Sequence, residues 1–169
     1  MNKLLLYFLS LLTIISCSTN PKLIDEAGVK INNDILNQAE ASASKSGRKI
    51  LEVSRGMISS QEVVVGGCWD YINAVYKRAG YPSNKVDTIF KSKIHGPYFN
   101  PESVQAGDWL YFMNHSYHNI EHSAVFVSWY NFEKKEALMV NYPGEKRAKP
   151  ASYKIFTLDN IYNVFRAHE

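Results

Sequence analysis

The sequence predicts an α+β domain: helices first, then an antiparallel sheet of about five strands. Three observations predict it. Residues 31–45 and 68–79 repeat apolar side chains at helical spacing. After Gly107 the pattern changes to aromatic and β-branched runs separated by polar turns. No internal repeat, low-complexity tract or second domain interrupts the 169 residues, which are enough for one core.

Residues 1–16 stand apart from the predicted fold. Lys3 gives a short positive start, and residues 4–15 form an apolar run too short to span a bilayer comfortably. Ile14-Ile15-Ser16-Cys17 resembles a bacterial lipobox, with polar Ser18-Thr19-Asn20-Pro21 beyond it. That resemblance implies cleavage before Cys17, a diacylated Cys17 and a membrane anchor. The competing reading is an ordinary cleaved signal peptide. Ser18 after the lipidated cysteine favours the outer membrane, by resemblance to sorting patterns in diderm bacteria. Residues 17–30 then form a polar tether, and residues 31–169 form the domain.

Within the domain, Ile31, Ile35, Leu36, Ala39 and Ala43 predict a first helix. Ser44 to Gly47 breaks it, and Ile50, Leu51 and Val53 suggest a second, short one. Val63-Val64-Val65 leads into Gly66-Gly67 and the clearest helix, 68–79. Trp69, Ile72, Val75, Tyr76 and Ala79 form its predicted apolar stripe. Lys77 and Arg78 suit its C-terminal dipole, and Gly80 with Pro82 stops it. Residues 81–107 are rich in Pro and Gly and read as loop. Strands are predicted at 108–113, 123–130, 137–142, 153–158 and 160–166, with a hairpin loop at 131–135. Ala124-Val125-Phe126-Val127 is apolar on both parities, which predicts a central strand.

Composition narrows function less than it narrows fold. The net charge is +3 and the basic residues are scattered, so no nucleic-acid footprint is indicated. Eleven Tyr and eight Phe suit either a sheet core or a groove for sugars and peptides. The cysteines are more informative. There are two, and if Cys17 carries lipid, Cys68 has no intramolecular partner. The bland reading of such a thiol is an inert core residue. Its place at a glycine-flanked helix start argues otherwise, because unpaired N–H groups and the macrodipole favour a thiolate there.

His122 opens a buried strand and is the candidate base, then acid, for a leaving amine. Asn141, on the strand after the hairpin, is the candidate to orient the imidazole. Its bland reading is a polar strand end bonded to backbone. The backbone N–H of Cys68 is the candidate oxyanion donor.

Four segments carry a family resemblance. They are Gly67-Cys68-Trp69-Asp70-Tyr71, Gly107-Asp108-Trp109-Leu110-Tyr111-Phe112, His122-Ser123-Ala124-Val125-Phe126-Val127 and Val140-Asn141-Tyr142-Pro143. In order and in Cys-to-His spacing they resemble the NlpC/P60 family of papain-like cell-wall peptidases, with the CHAP amidases as near relatives. The likeness runs from about Ile50 to the C-terminus. It implies a papain-like core and a cysteine hydrolase of peptidoglycan stem peptides that needs no metal or cofactor. The family usually has Asp before the nucleophile and Ser-Gly after it. Here Gly67, Trp69 and Asp70 hold those positions. The missing Asp, implied elsewhere in gripping a stem-peptide amine, loosens any inference about which bond is cut.

Three other readings compete. His115, His118 and His122, with Glu121, have a spacing that three-imidazole zinc sites use. However, residues 114–119 look turn-like, without a helix to align them. A surface lipoprotein that keeps the fold for binding is the second alternative. An amidase, transpeptidase or thioester hydrolase working through the same Cys–His pair is the third. The sequence carries no sign of an oligomeric state.

Overall fold

The computed structural model describes residues 23–24 and 30–168. The leader, Cys17 and most of the tether lie outside these residues. Among the described residues no helix is long and apolar enough to cross a membrane.

The chain begins with β1 (Leu23–Ile24), paired antiparallel to β2 (Lys30–Ile31). Three helices follow: α1 (Asn33–Ser42), α2 (Lys45–Ser59) and α3 (Cys68–Arg78). Side-chain oxygens of Asn32 and Ser44 cap the first two by accepting from Ile35 N and Gly47 N, each at 3.0 Å. Next come β3 (Val86–Lys91), β4 (Trp109–Asn114), β5 (Ile120–Asn131), β6 (Glu136–Asn141), β7 (Ser152–Thr157) and β8 (Asn163–Ala167). Strands β3 to β8 form one six-stranded antiparallel sheet in the order β3-β8-β4-β5-β6-β7.

The α+β expectation holds, with two corrections. The sheet has six strands, not about five. The sixth is β3, inside the stretch expected to be loop. Among the described residues it pairs only with β8, at the sheet edge; it is mostly exposed and carries a bulge between Thr88 and Phe90. Its Asp87 and Lys91 blur the apolar alternation that marks buried strands. The second helix is also much longer than expected, because Gly47 and Gly56 lie within it.

Both sheet faces are covered. One parity, with Trp109, Val125, Val127, Leu138, Val140 and Tyr153, packs on the three helices. The other, with Leu110, Phe112, Phe126, Met139, Phe156 and Val164, packs under Val104, Leu158, Ile161 and Phe99. Strand β5 is central, and residues 124–127 are buried on both sides, as their apolar run predicts.

The helix expected at 68–79 forms, but its stripe is rotated. Ile72, Val75, Tyr76 and Ala79 are buried, whereas Trp69 is 49% exposed. Tyr71 is fully buried instead and stacks on Tyr142 at 4.6 Å between centroids. Tyr76 fixes α3 to the sheet: its hydroxyl donates to Gly107 O at 2.6 Å. Gly107 has φ +94°, and a Cβ there would lie 2.5 Å from Gly47 Cα. Helix α2 can approach this turn only because both positions lack a side chain.

Candidate active site

The loop into α3 is built to expose its first residue. Gly66 takes φ +111°, which an L side chain resists, and a Cβ there would meet Asp70 Oδ2 at 2.1 Å. Asp70, in the first turn, accepts from Gly67 N at 2.8 Å and so satisfies one donor at the helix start. Cys68 is the first helical residue, and its N–H falls among those with no intrahelical acceptor.

His122 and Asn141 reach the same place from the sheet. The Val125–Val140 pairing fixes the register, and both His122 and Asn141 lie on the opposite parity from that pair. They therefore share a face. His122 Nε2 lies 2.8 Å from Asn141 Oδ1. That oxygen only accepts, so Nε2 carries the proton and Nδ1 is left to face the sulfur. Phe112 packs edge-on to the imidazole at 5.7 Å, and Phe156 lies 5.4 Å away. The ring is held on three sides.

Cys68 feels opposing influences. Burial pushes its thiol up. A hydrogen bond and charge from His122, with hydrogen bonding from the Ser123 side chain and backbone, outweigh burial and bring it down to about 7. Ser123 is 2% exposed, and its Oγ has no partner of ordinary hydrogen-bond geometry among the described residues, so its influence on the sulfur is weaker than that of His122. Sequence reasoning passed over Ser123, although it directly follows His122 and pairs across the ladder with Tyr111. Burial, then the nearby Cys68 and Glu121 charges, pushes the Tyr111 hydroxyl up to about 12, with the Trp69 hydrogen bond acting against them. The Tyr162 hydroxyl donates to Glu121 Oε2.

Two cavities flank α3's first turn. One, of about 330 Å³, contains Cys68, His122 and Asn141, with Tyr117, Arg147 and Lys154 on its walls. The other, of about 230 Å³, lies beyond Trp69 and is lined by Trp109, Tyr111, Tyr81 and Phe165. Trp69 therefore belongs to a cavity wall rather than to the core, resting on Trp109 at 5.9 Å.

The other histidines are placed elsewhere. His115 Nδ1 lies within hydrogen-bond distance of Asn119 Oδ1, at 3.0 Å, and its Nε2 lies 3.1 Å from Asp159 Oδ1 and 2.7 Å from Asn160 Nδ2. The Asn119 and Asp159 contacts raise its pKa. His118 is exposed, with φ +53°. The His115, His118 and His122 spacing is thus not gathered into one site, and the described residues contain no cluster of three or more His, Cys, Asp or Glu suited to a metal. The 114–119 turn explains this: without a helix, i and i+4 positions do not share a face.

No protein-family model, curated protein or solved structure matches the chain.

Proposed function

We propose that the chain is a cysteine hydrolase of the bacterial cell envelope, anchored by lipid on Cys17, that cleaves amide bonds in peptidoglycan stem peptides. The observation that carries this reading is the convergence of Cys68, His122 and Asn141, with the imidazole fixed at 2.8 Å from Asn141 and the thiol held at about 7. The lipobox-like leader and the likeness to NlpC/P60 peptidases supply the location and the substrate class.

In this reading the Cys68 thiolate attacks the scissile carbonyl carbon. The carbonyl electron pair moves onto oxygen, where the Cys68 N–H stabilises it. As the tetrahedral adduct collapses, the C–N bond breaks and protonated His122 gives its proton to the departing amine. The product is a thioester on Cys68. Water, deprotonated by His122, then attacks it and releases the acid and the thiolate. Asn141 keeps its hydrogen bond to Nε2 in both the neutral and the protonated ring and so fixes its orientation. Acyl chains on Cys17 anchor the enzyme at about 0.8 kcal/mol per buried methylene.

The test uses purified sacculi and mass detection of released fragments. Cys68→Ala is expected to melt like the wild type, since the thiol is only half-buried, and to lose more than ~10³-fold in release rate. Release at the native rate by the variant would end the reading. The rival binding lipoprotein predicts retention on sacculi with no fragments and a thiol as sluggish as an ordinary one.

A further inference from the structure

Among the side chains of the Cys68 cleft that take no part in the hydrolytic steps, two are cationic, Arg147 and Lys154. Arg147 ends a 3-10 turn, Glu145–Arg147, that is tied to the nucleophile loop: Glu145 N donates to Gly66 O at 2.9 Å. Ala148 N closes the turn onto Glu145 O at 2.8 Å. The guanidinium lies 4.6 Å over the Tyr117 ring, reached from the 114–119 turn. Backbone on one side and an aromatic face on the other hold this charge in place. Lys154 enters from β7 with Nζ 5.4 Å from the centroid of Phe156, the ring that also backs His122. The acidic side chain on this cleft's wall is Glu121, which already accepts the Tyr162 hydroxyl.

The charge is one-sided. The cavity beyond Trp69 is lined by rings, Asn73, Ser83, Thr88 and Val86, with no charged side chain. His122 must hand its proton to the amine, so the leaving portion of a substrate departs on the imidazole side. Both cations line the cavity that holds the imidazole.

We propose that Arg147, supported by Lys154, determines specificity by taking a carboxylate carried on the leaving portion of the substrate. The inference rests on Cys68 and His122 acting as proposed above. A planar guanidinium offers two parallel N–H groups to a carboxylate, and the ammonium adds a second positive charge.

The test needs no identified substrate. The full-length protein in neutral detergent is alkylated at pH 7 with iodoacetate, which carries a carboxylate, and with iodoacetamide, its neutral counterpart. Peptide mapping reads the rate at Cys68 for each. Arg147→Gln is expected to lower the iodoacetate-to-iodoacetamide ratio about three- to tenfold, mostly through the iodoacetate rate. Arg147→Gln with Lys154→Gln lowers it further, and Arg147→Lys retains most of it. Any contribution of His122 is common to all these proteins and cancels. A ratio unchanged in the double variant, with Cys68 still reacting rapidly, overturns the carboxylate subsite and leaves the nucleophile standing. A Cys68 no faster than an ordinary thiol toward both reagents overturns the nucleophile, and the subsite with it.

Discussion

At the residue scale, the chemistry turns on which influence dominates one sulfur. Burial alone would raise the Cys68 thiol, making it inert at neutral pH. His122 reverses the sign, and Ser123 assists. The reversal can be measured. The rate of iodoacetamide alkylation follows the thiolate fraction, so in the wild type it should rise with pH to a midpoint near 7. His122→Ala removes the largest lowering influence and leaves burial in place. Its midpoint should move up to or beyond the ordinary thiol value of about 8.5. A variant that keeps the low midpoint would show that the helix start, rather than the imidazole, controls the sulfur. Much of this site was legible in the chain. A cysteine heading a helix and a histidine near the start of a strand are local patterns, although β5 begins at Ile120, two residues before His122. The Asn141 contact was not, because it depends on hairpin register, which the bulge between Phe126 and Ser128 also shapes. Arg147 was hidden for a related reason: its turn is placed by the hydrogen bond from Glu145 N to Gly66 O, between residues 79 positions apart in the chain.

At the element scale, α3 explains a departure that looked like a loss. Asp70 stands where the resembled family has a small residue after its nucleophile. Here its carboxylate accepts the Gly67 N–H and occupies the space that a side chain on Gly66 would need. Asp70 and Gly66 therefore belong together as the device that starts the helix. Asp70→Ala should destabilise the protein by about 0.5–2 kcal/mol, the range for losing a capping side chain, read as a lower urea midpoint at unchanged slope. An unchanged midpoint would mean that water serves the Gly67 N–H equally well. The helices themselves were legible through period and caps. Trp69 misled because its spacing fits the stripe while its position in the first turn points it past the end of the core. The second helix was cut short because Gly47 reads as a breaker. Its real function is contact: a Cβ there would lie 2.2 Å from Ala106 O. Close approach between distant segments is invisible to a local pattern.

At the scale of the whole molecule, several elements converge on residues 105–108. Gly107 N donates to Phe126 O at 2.8 Å, Gly107 O receives the Tyr76 hydroxyl, and Gly47 of α2 packs against the same glycine. Asp108 anchors the turn. It is 1% exposed, accepts from Gln105 N at 2.9 Å, and pairs with Arg166 of β8 through Nε at 2.7 Å and Nη2 at 2.8 Å. Arg166 also donates to Ser103 O at 3.2 Å. The Gly-Asp of the sequence is thus a structural joint, positioning α3 and β5 and through them Cys68 and His122. Burial pushes the Asp108 carboxyl up, while Arg166 and the Gln105 N–H restrain it. Breaking the pair leaves a buried charge with too little compensation, so Arg166→Met should cost about 3–5 kcal/mol at neutral pH. The pH dependence has a definite sign. Without Arg166 the folded-state pKa of Asp108 climbs further above its unfolded value. The folded protein then favours the protonated acid, whose stability is fully present below the unfolded pKa and is lost as pH rises through the folded one. The deficit of the variant should shrink on acidification, and Asp108→Asn added to Arg166→Met should recover part of it at pH 7. Urea denaturation of the three proteins across pH measures this. A deficit below ~1 kcal/mol, or one independent of pH, would show that the turn is held by Gly107 and its backbone contacts rather than by the buried ion pair.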